Sequence, residues 1–112
     1  MGEKGASLTS DATQSYERFT EALRPLGFIT GKKMFGGYGI FESGTMFALV
    51  NSEGMIFLKA DESNQWRFEE VGAQRHARMP YYQLPDAVLR DENLLFEWAK
   101  ESMELAHQSK KK

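Results

Sequence analysis

Residues Met34-Phe35-Gly36-Gly37-Tyr38-Gly39-Ile40-Phe41 place three glycines among large apolar side chains. The surrounding stretch, about Lys33 to Phe41, has the alternation of a β-strand. Glycine weakens a strand interior, so glycine there marks a bulge or a close approach of another backbone. Any fold for this chain must give that strip a place.

Two further strands follow, about Thr45 to Val50 and Met55 to Ala60. Glu42-Ser43-Gly44 and Asn51-Ser52-Glu53-Gly54 are the turns between them. Connections this short make neighbours antiparallel, which predicts a β-meander. A helix is expected from Ser10, a good N-cap, to just before Pro25, with Ala12, Tyr16, Phe19, Leu23 and Leu26 on one face. A second is expected from Asp61 to about Val71, with Gly72 at its C′ position. A third follows Asp91, its inner face made by Leu94, Leu95, Trp98, Ala99, Ser102, Leu105 and Ala106. Residues 74–84 read as irregular or a short strand, which Pro80 confines to an edge. The fold class is α+β: a two-layer arrangement of an antiparallel meander and about three helices. The organisation is a disordered lead over residues 1–9, one domain over 10–108, and a basic tail over 109–112.

Alternation places Tyr38, Ile40, Phe47, Leu49, Ile56 and Leu58 on the core face. The other face carries Gly37, Gly39, Phe41, Met46, Ala48, Val50, Met55, Phe57 and Lys59. A sheet with one wet face alternates with polar residues; this second face does not. Either a helix covers it, or a second subunit or partner does. The candidate interaction surface is therefore Phe35, Gly37, Gly39, Phe41, Met46, Met55, Phe57 and Lys59, with Trp66 as an outlying interface anchor.

The chemistry-bearing patterns are sparse. With no cysteine there are no disulfides and no thiolate sites, which suits a reducing cytosol. No apolar run reaches the length of a membrane span and no signal core opens the chain, so a soluble cytoplasmic protein is expected. Gly36-Gly37-Tyr38-Gly39 lacks the Lys-Ser/Thr ending of a phosphate loop. His76 and His107 have no carboxylate at a metal-ligand spacing and read as a solvated loop residue and a helix-end residue. No residue is singled out as catalytic, cofactor-binding or metal-binding. Lys32-Lys33 and Arg75-His76-Arg78 are the basic spots, and direct DNA binding needs Lys32, Lys33, Arg75 and Arg78 on one surface. The net charge of −2 argues for ordinary solvated loops instead. An enzyme or small-ligand binder would need a pocket gathering His76, Tyr81 and Tyr82.

The ordered set of motifs resembles the N-terminal domain of the TfoX/Sxy family of competence regulators. The pieces are Lys33 to Phe41, Gly44-Thr45-Met46-Phe47-Ala48-Leu49, Phe57-Leu58-Lys59-Ala60-Asp61, Phe68-Glu69-Glu70-Val71-Gly72, Met79-Pro80-Tyr81-Tyr82 with Pro85, and Trp98-Ala99. The resemblance implies helices packed on an antiparallel sheet, as in secretion-chaperone-like folds. It implies no enzyme activity and no cofactor. It implies a part in turning on DNA-uptake genes with a protein partner, the cyclic-AMP receptor protein or RNA polymerase. Family regulators carry a second, C-terminal domain, so a stand-alone N-terminal domain is expected here. The segment between Gly72 and Met79 looks short, and a strand or hairpin is expected to be missing there. A homodimer through the methionine-rich face or an edge strand completes the expectation, with any DNA contact indirect or weak.

Overall fold

The computed structural model describes residues 10–34 and 36–111. Phe35 and the expected lead over residues 1–9 lie outside them. The order of elements is α1 (Ser10–Leu23), β1 (Ile29–Met34), β2 (Gly37–Glu42), β3 (Thr45–Val50), β4 (Ile56–Lys59), α2 (Gln65–Glu70), β5 (Tyr81–Gln83), α3 (Asp86–Leu89) and α4 (Glu92–Lys111). A single 3-10 turn, Arg24–Leu26, follows α1. The helix α4 continues through Lys111, and Lys112 lies outside the described residues.

The five strands form one antiparallel sheet in chain order, β1-β2-β3-β4-β5. The meander is as expected, but it has five strands, not three. The expected strand over Lys33 to Phe41 is two strands. Met34 pairs with Gly37, and Gly36, with φ +78°, sits in the turn between β1 and β2. That φ is costly for any residue with a Cβ. The glycine run thus folds the chain back on itself and opens a strand pair, instead of bulging one strand. At the next hairpin Ser43 and Gly44 both have positive φ, 50° and 85°, the signature of a two-residue type I′ turn.

A register shift lies between Ile40 and Phe41. Ile40 opposes Ala48 while Phe41 opposes Met46, so Phe47 is the extra residue of a β-bulge on β3. The bulge changes the phase of β3. Phe47, Ala48 and Val50 all join the main core, and Leu49 turns to the other face. Simple alternation had assigned Leu49 to the core, and Ala48 and Val50 to the second face; the extra residue reverses all three.

The buried apolar residues of the helices, Leu105 apart, belong to the main core. Ala12, Phe19 and Leu23 come from α1, Phe68 from α2, Val88 from α3, and Leu95, Trp98, Ala99, Met103 and Ala106 from α4. They pack on Tyr38, Ile40, Phe47, Ala48, Val50, Ile56, Leu58 and Tyr82. The Tyr16 ring stacks on Tyr38 at 4.0 Å and fills the space over Gly31, where a Cβ would collide with it. The result is two layers, with the helices on one side of the sheet.

Two helix ends, the start of α4 and the close of α2, are capped where the sequence signals them. Asp91 Oδ1 accepts from the Leu94 amide at 3.2 Å, an N-cap for α4. Ala73 N–H donates to Phe68 O at 2.9 Å and Gly72 N–H to Glu69 O at 3.0 Å. With Gly72 at φ +74°, these are the two bonds of a Schellman motif. The helix α2 starts later than expected. Asp61 to Asn64 form a turn in which Asn64 Oδ1 accepts from the Asp61 amide at 2.8 Å.

The far edge of the sheet is closed by a short hairpin. Arg75 bridges Tyr82, Gln83 N–H donates to Gln74 O, and His76 N–H donates to Tyr81 O. The segment that looked short therefore still supplies a hairpin. Pro80 stands just before edge strand β5, as its missing N–H requires.

Candidate functional site

The sheet face turned away from the helices has its own small apolar cluster. Leu49, Phe57 and Tyr81 form its buried centre, with Met46 and Met55 packed against them. Strand alternation explains the set: Gly37, Gly39 and Phe41 from β2, Phe57 and Lys59 from β4, and Tyr81 from β5 all point this way. Among the described residues no helix side chain belongs to this cluster. Its cover is the 74–83 hairpin, whose His76 ring meets Phe57 edge-on at 4.8 Å between centroids. His76 is half-buried rather than solvated.

Phe57 is consequently not a surface residue. It is 4% exposed, because the hairpin folds back over it. Gly37 and Gly39 are buried too. A Cβ at Gly37 would run into the carbonyl of Val50, and one at Gly39 would lie 2.7 Å from Met34 Cε. The side chains still open on this face are Met34, Phe41, Met46 and Met55, all half-buried, together with Met79 and Lys59. Lys59 Nζ lies 5.8 Å above the centre of the Tyr81 ring. Burial pushes the Tyr81 hydroxyl up to about 12.

The remaining candidates lie elsewhere. Trp66 is 55% exposed on α2, in the helix layer, so it is not part of the methionine face. Its neighbour Arg67 lays its guanidinium 5.5 Å from the Trp66 ring and 5.0 Å from that of Trp98, and pairs with Glu97 and Glu101. Lys32 and Lys33 lie on β1 and Arg75 beside β5, at opposite edges of a sheet about 19 Å across. Lys32 and Lys33 also alternate to opposite faces of β1. The Arg75 guanidinium donates to the carbonyls of Met79 and Arg78 at 3.0 and 3.3 Å, which shapes its own loop. Tyr81 and Tyr82 face opposite sides of the sheet, so no pocket gathers them with His76. Tyr82 donates to Glu69 at 3.2 Å on the helix side.

Sequence reasoning missed Met34, Leu49, His76 and Met79 as members of this face. Leu49 was hidden by the bulge. Met34 ends β1, which the reading of Lys33 to Phe41 as one strand had merged with β2, and Met79 sits in a loop where alternation carries no signal.

His107 and Glu42 also join. His107 Nε2 lies 2.7 Å from Glu42 Oε1, tying the end of α4 to the end of β2. Hydrogen bonds from Ser43 and from His107 hold the Glu42 carboxyl below its ordinary value. Among the described residues no group of three or more His, Cys, Asp or Glu could hold a metal, and no helix is long and apolar enough to cross a membrane.

Fold and face together define a two-layer α+β domain with helices on one side of the sheet and a methionine-rimmed apolar surface on the other. The chain belongs to the TfoX N-terminal domain family, whose model matches residues 21–106. It is 37% identical over 59 residues to the DNA transformation protein TfoX1 of Aliivibrio fischeri (strain ATCC 700601 / ES114). That match takes in 53% of this chain and 28% of the relative's length.

Proposed function

We propose that this chain is a non-enzymatic, partner-binding domain in the regulation of DNA transformation, docking through its methionine-rimmed sheet face. Family membership and the similarity to a DNA transformation protein support the regulatory role. The observation that carries the surface is the second apolar cluster, which has no helix over it. Flexible thioethers adapt to a partner's shape, which suits them to such surfaces. The partner is a protein, with the cyclic-AMP receptor protein the first to test and RNA polymerase the second. A homodimer through the same face, or through the open edge of β1, is the self-associating form of this reading.

Direct DNA contact has less support. The basic residues sit at two edges of the sheet, and Arg75 is engaged by its own loop.

The test is calorimetric titration of the purified chain into purified cyclic-AMP receptor protein, repeated with Met46→Glu and with Leu94→Glu. Met46 is half-buried on the sheet face and Leu94 is exposed on the helix layer. The expected result is binding weakened tenfold or more by Met46→Glu alone. Equal binding by all three proteins would overturn the assignment of the face. An affinity that appears only with DNA present and collapses with salt would move the function to the nucleic acid.

A further inference from the structure

At the β1–β2 end of the open face is a small void of about 50 Å³, lined by Met34, Tyr38, Met46, Leu49, Val50, Asn51, His76 and Met79. Pockets for organic ligands run to several hundred Å³. This one has room for an ion or a water or two.

What surrounds it is chemically unusual. Two thioethers converge over Gly39: Met34 Sδ and Cε lie 2.8 and 2.7 Å from the point a Cβ would occupy, and Met46 Cε lies 3.4 Å from that same point. Only glycine leaves them that space. Met79 enters from the 74–83 hairpin, on a loop held by Arg75 and turned by Ala77 at φ +51°. From the same loop comes His76, whose buried Nδ1 has no hydrogen-bond partner among the described residues. A buried nitrogen left unpaired costs about 1–3 kcal/mol. Water is a poor remedy, since a buried water needs two to four polar partners and this wall is mostly apolar. Among the described residues no carboxylate lines the void, so a hard cation such as magnesium or calcium finds no ligand of its kind there. Thioether sulfur and neutral imidazole instead select a soft, singly charged d10 ion.

We propose that Met34, Met46, Met79 and His76 form a binding site for monovalent copper. Spacing in the sequence hides it, because the four donors come from β1, β3 and the far hairpin. The proposal does not depend on the identity of any protein partner.

Silver(I) serves as a redox-inert probe, titrated into the full chain labelled with ¹³C at the methionine methyls and the histidine rings. The chain has six methionines. The expected result is that Met34, Met46 and Met79 methyls shift and saturate at one equivalent, while core Met103 stays still. Replacing all three by leucine, which nearly conserves volume, abolishes the saturable shift at His76. His76→Ala weakens binding tenfold or more, and His107→Ala leaves it unchanged. Methyls that drift together without saturating would mean adventitious silver only, and would overturn the site. So would a triple-leucine variant that is folded and binds as tightly as the parent.

Discussion

Gly37 and Gly39 lie two residues apart on one face, yet a methyl group meets very different neighbours at each. At Gly37 it collides with the Val50 carbonyl, which the sheet fixes in place. At Gly39 it meets the far end of Met34, which can swing away. Gly37→Ala is therefore expected to cost about 3 kcal/mol and Gly39→Ala about 1 kcal/mol. Urea unfolding of the two variants side by side checks the order; equal losses would mean that the Val50 carbonyl yields as readily as a thioether. Tyr81 gives a second residue-level test. Its hydroxyl is held at about 12 against an ordinary 10.0. Folding thus keeps a proton that the unfolded chain releases, so this contribution is intact below pH 10 and lost as pH rises toward 12. Tyr81→Phe is expected to flatten that part of the stability profile, measured by thermal melts between pH 9 and pH 11.

At the scale of elements, what the sequence makes legible is set by local chemistry. The caps at Asp91 and Gly72 and the turn at Ser43-Gly44 each depend on residues within a few positions, and each stands where expected. Gly72→Ala must place a Cβ at φ +74° and is expected to cost about 1 kcal/mol with no other loss, since nothing lies within 4 Å of that position. The β1–β2 hairpin was hidden because Gly36-Gly37 lies within an unbroken apolar run, where periodicity cannot tell a turn from a bulge. The bulge at Phe47 was hidden for another reason. It depends on how two strands pair, and no residue in β3 announces it. Half of the open face was readable despite this, because Gly39, Phe41, Met46, Met55 and Lys59 keep their phase on either side of the bulge. The closing hairpin was not, because its pairings join residues 74–76 to residues 81–83 across an irregular loop.

For the whole molecule, one layer of helices on a five-stranded sheet leaves the opposite face to thioethers and a loop. The helix layer is fastened at its far end by His107 and Glu42. Because the Glu42 carboxyl is held below its ordinary 4.5, its contribution to stability is whole above that pH and fades as pH falls below it. Glu42→Gln is expected to remove this component, making the melting temperature less sensitive to pH between 5 and 3. An unchanged slope would show that the contact does not bear on folding. The proposed function turns on the open face. It is tested most directly by mapping the bound surface: methionine-methyl and amide spectra of the labelled chain, recorded with and without the cyclic-AMP receptor protein. If that face docks the partner, perturbations gather at Met34, Phe41, Met46, Met55 and Met79, and spare Trp66 and Leu94. Perturbations confined to the helix layer, or none at saturating partner, would contradict it.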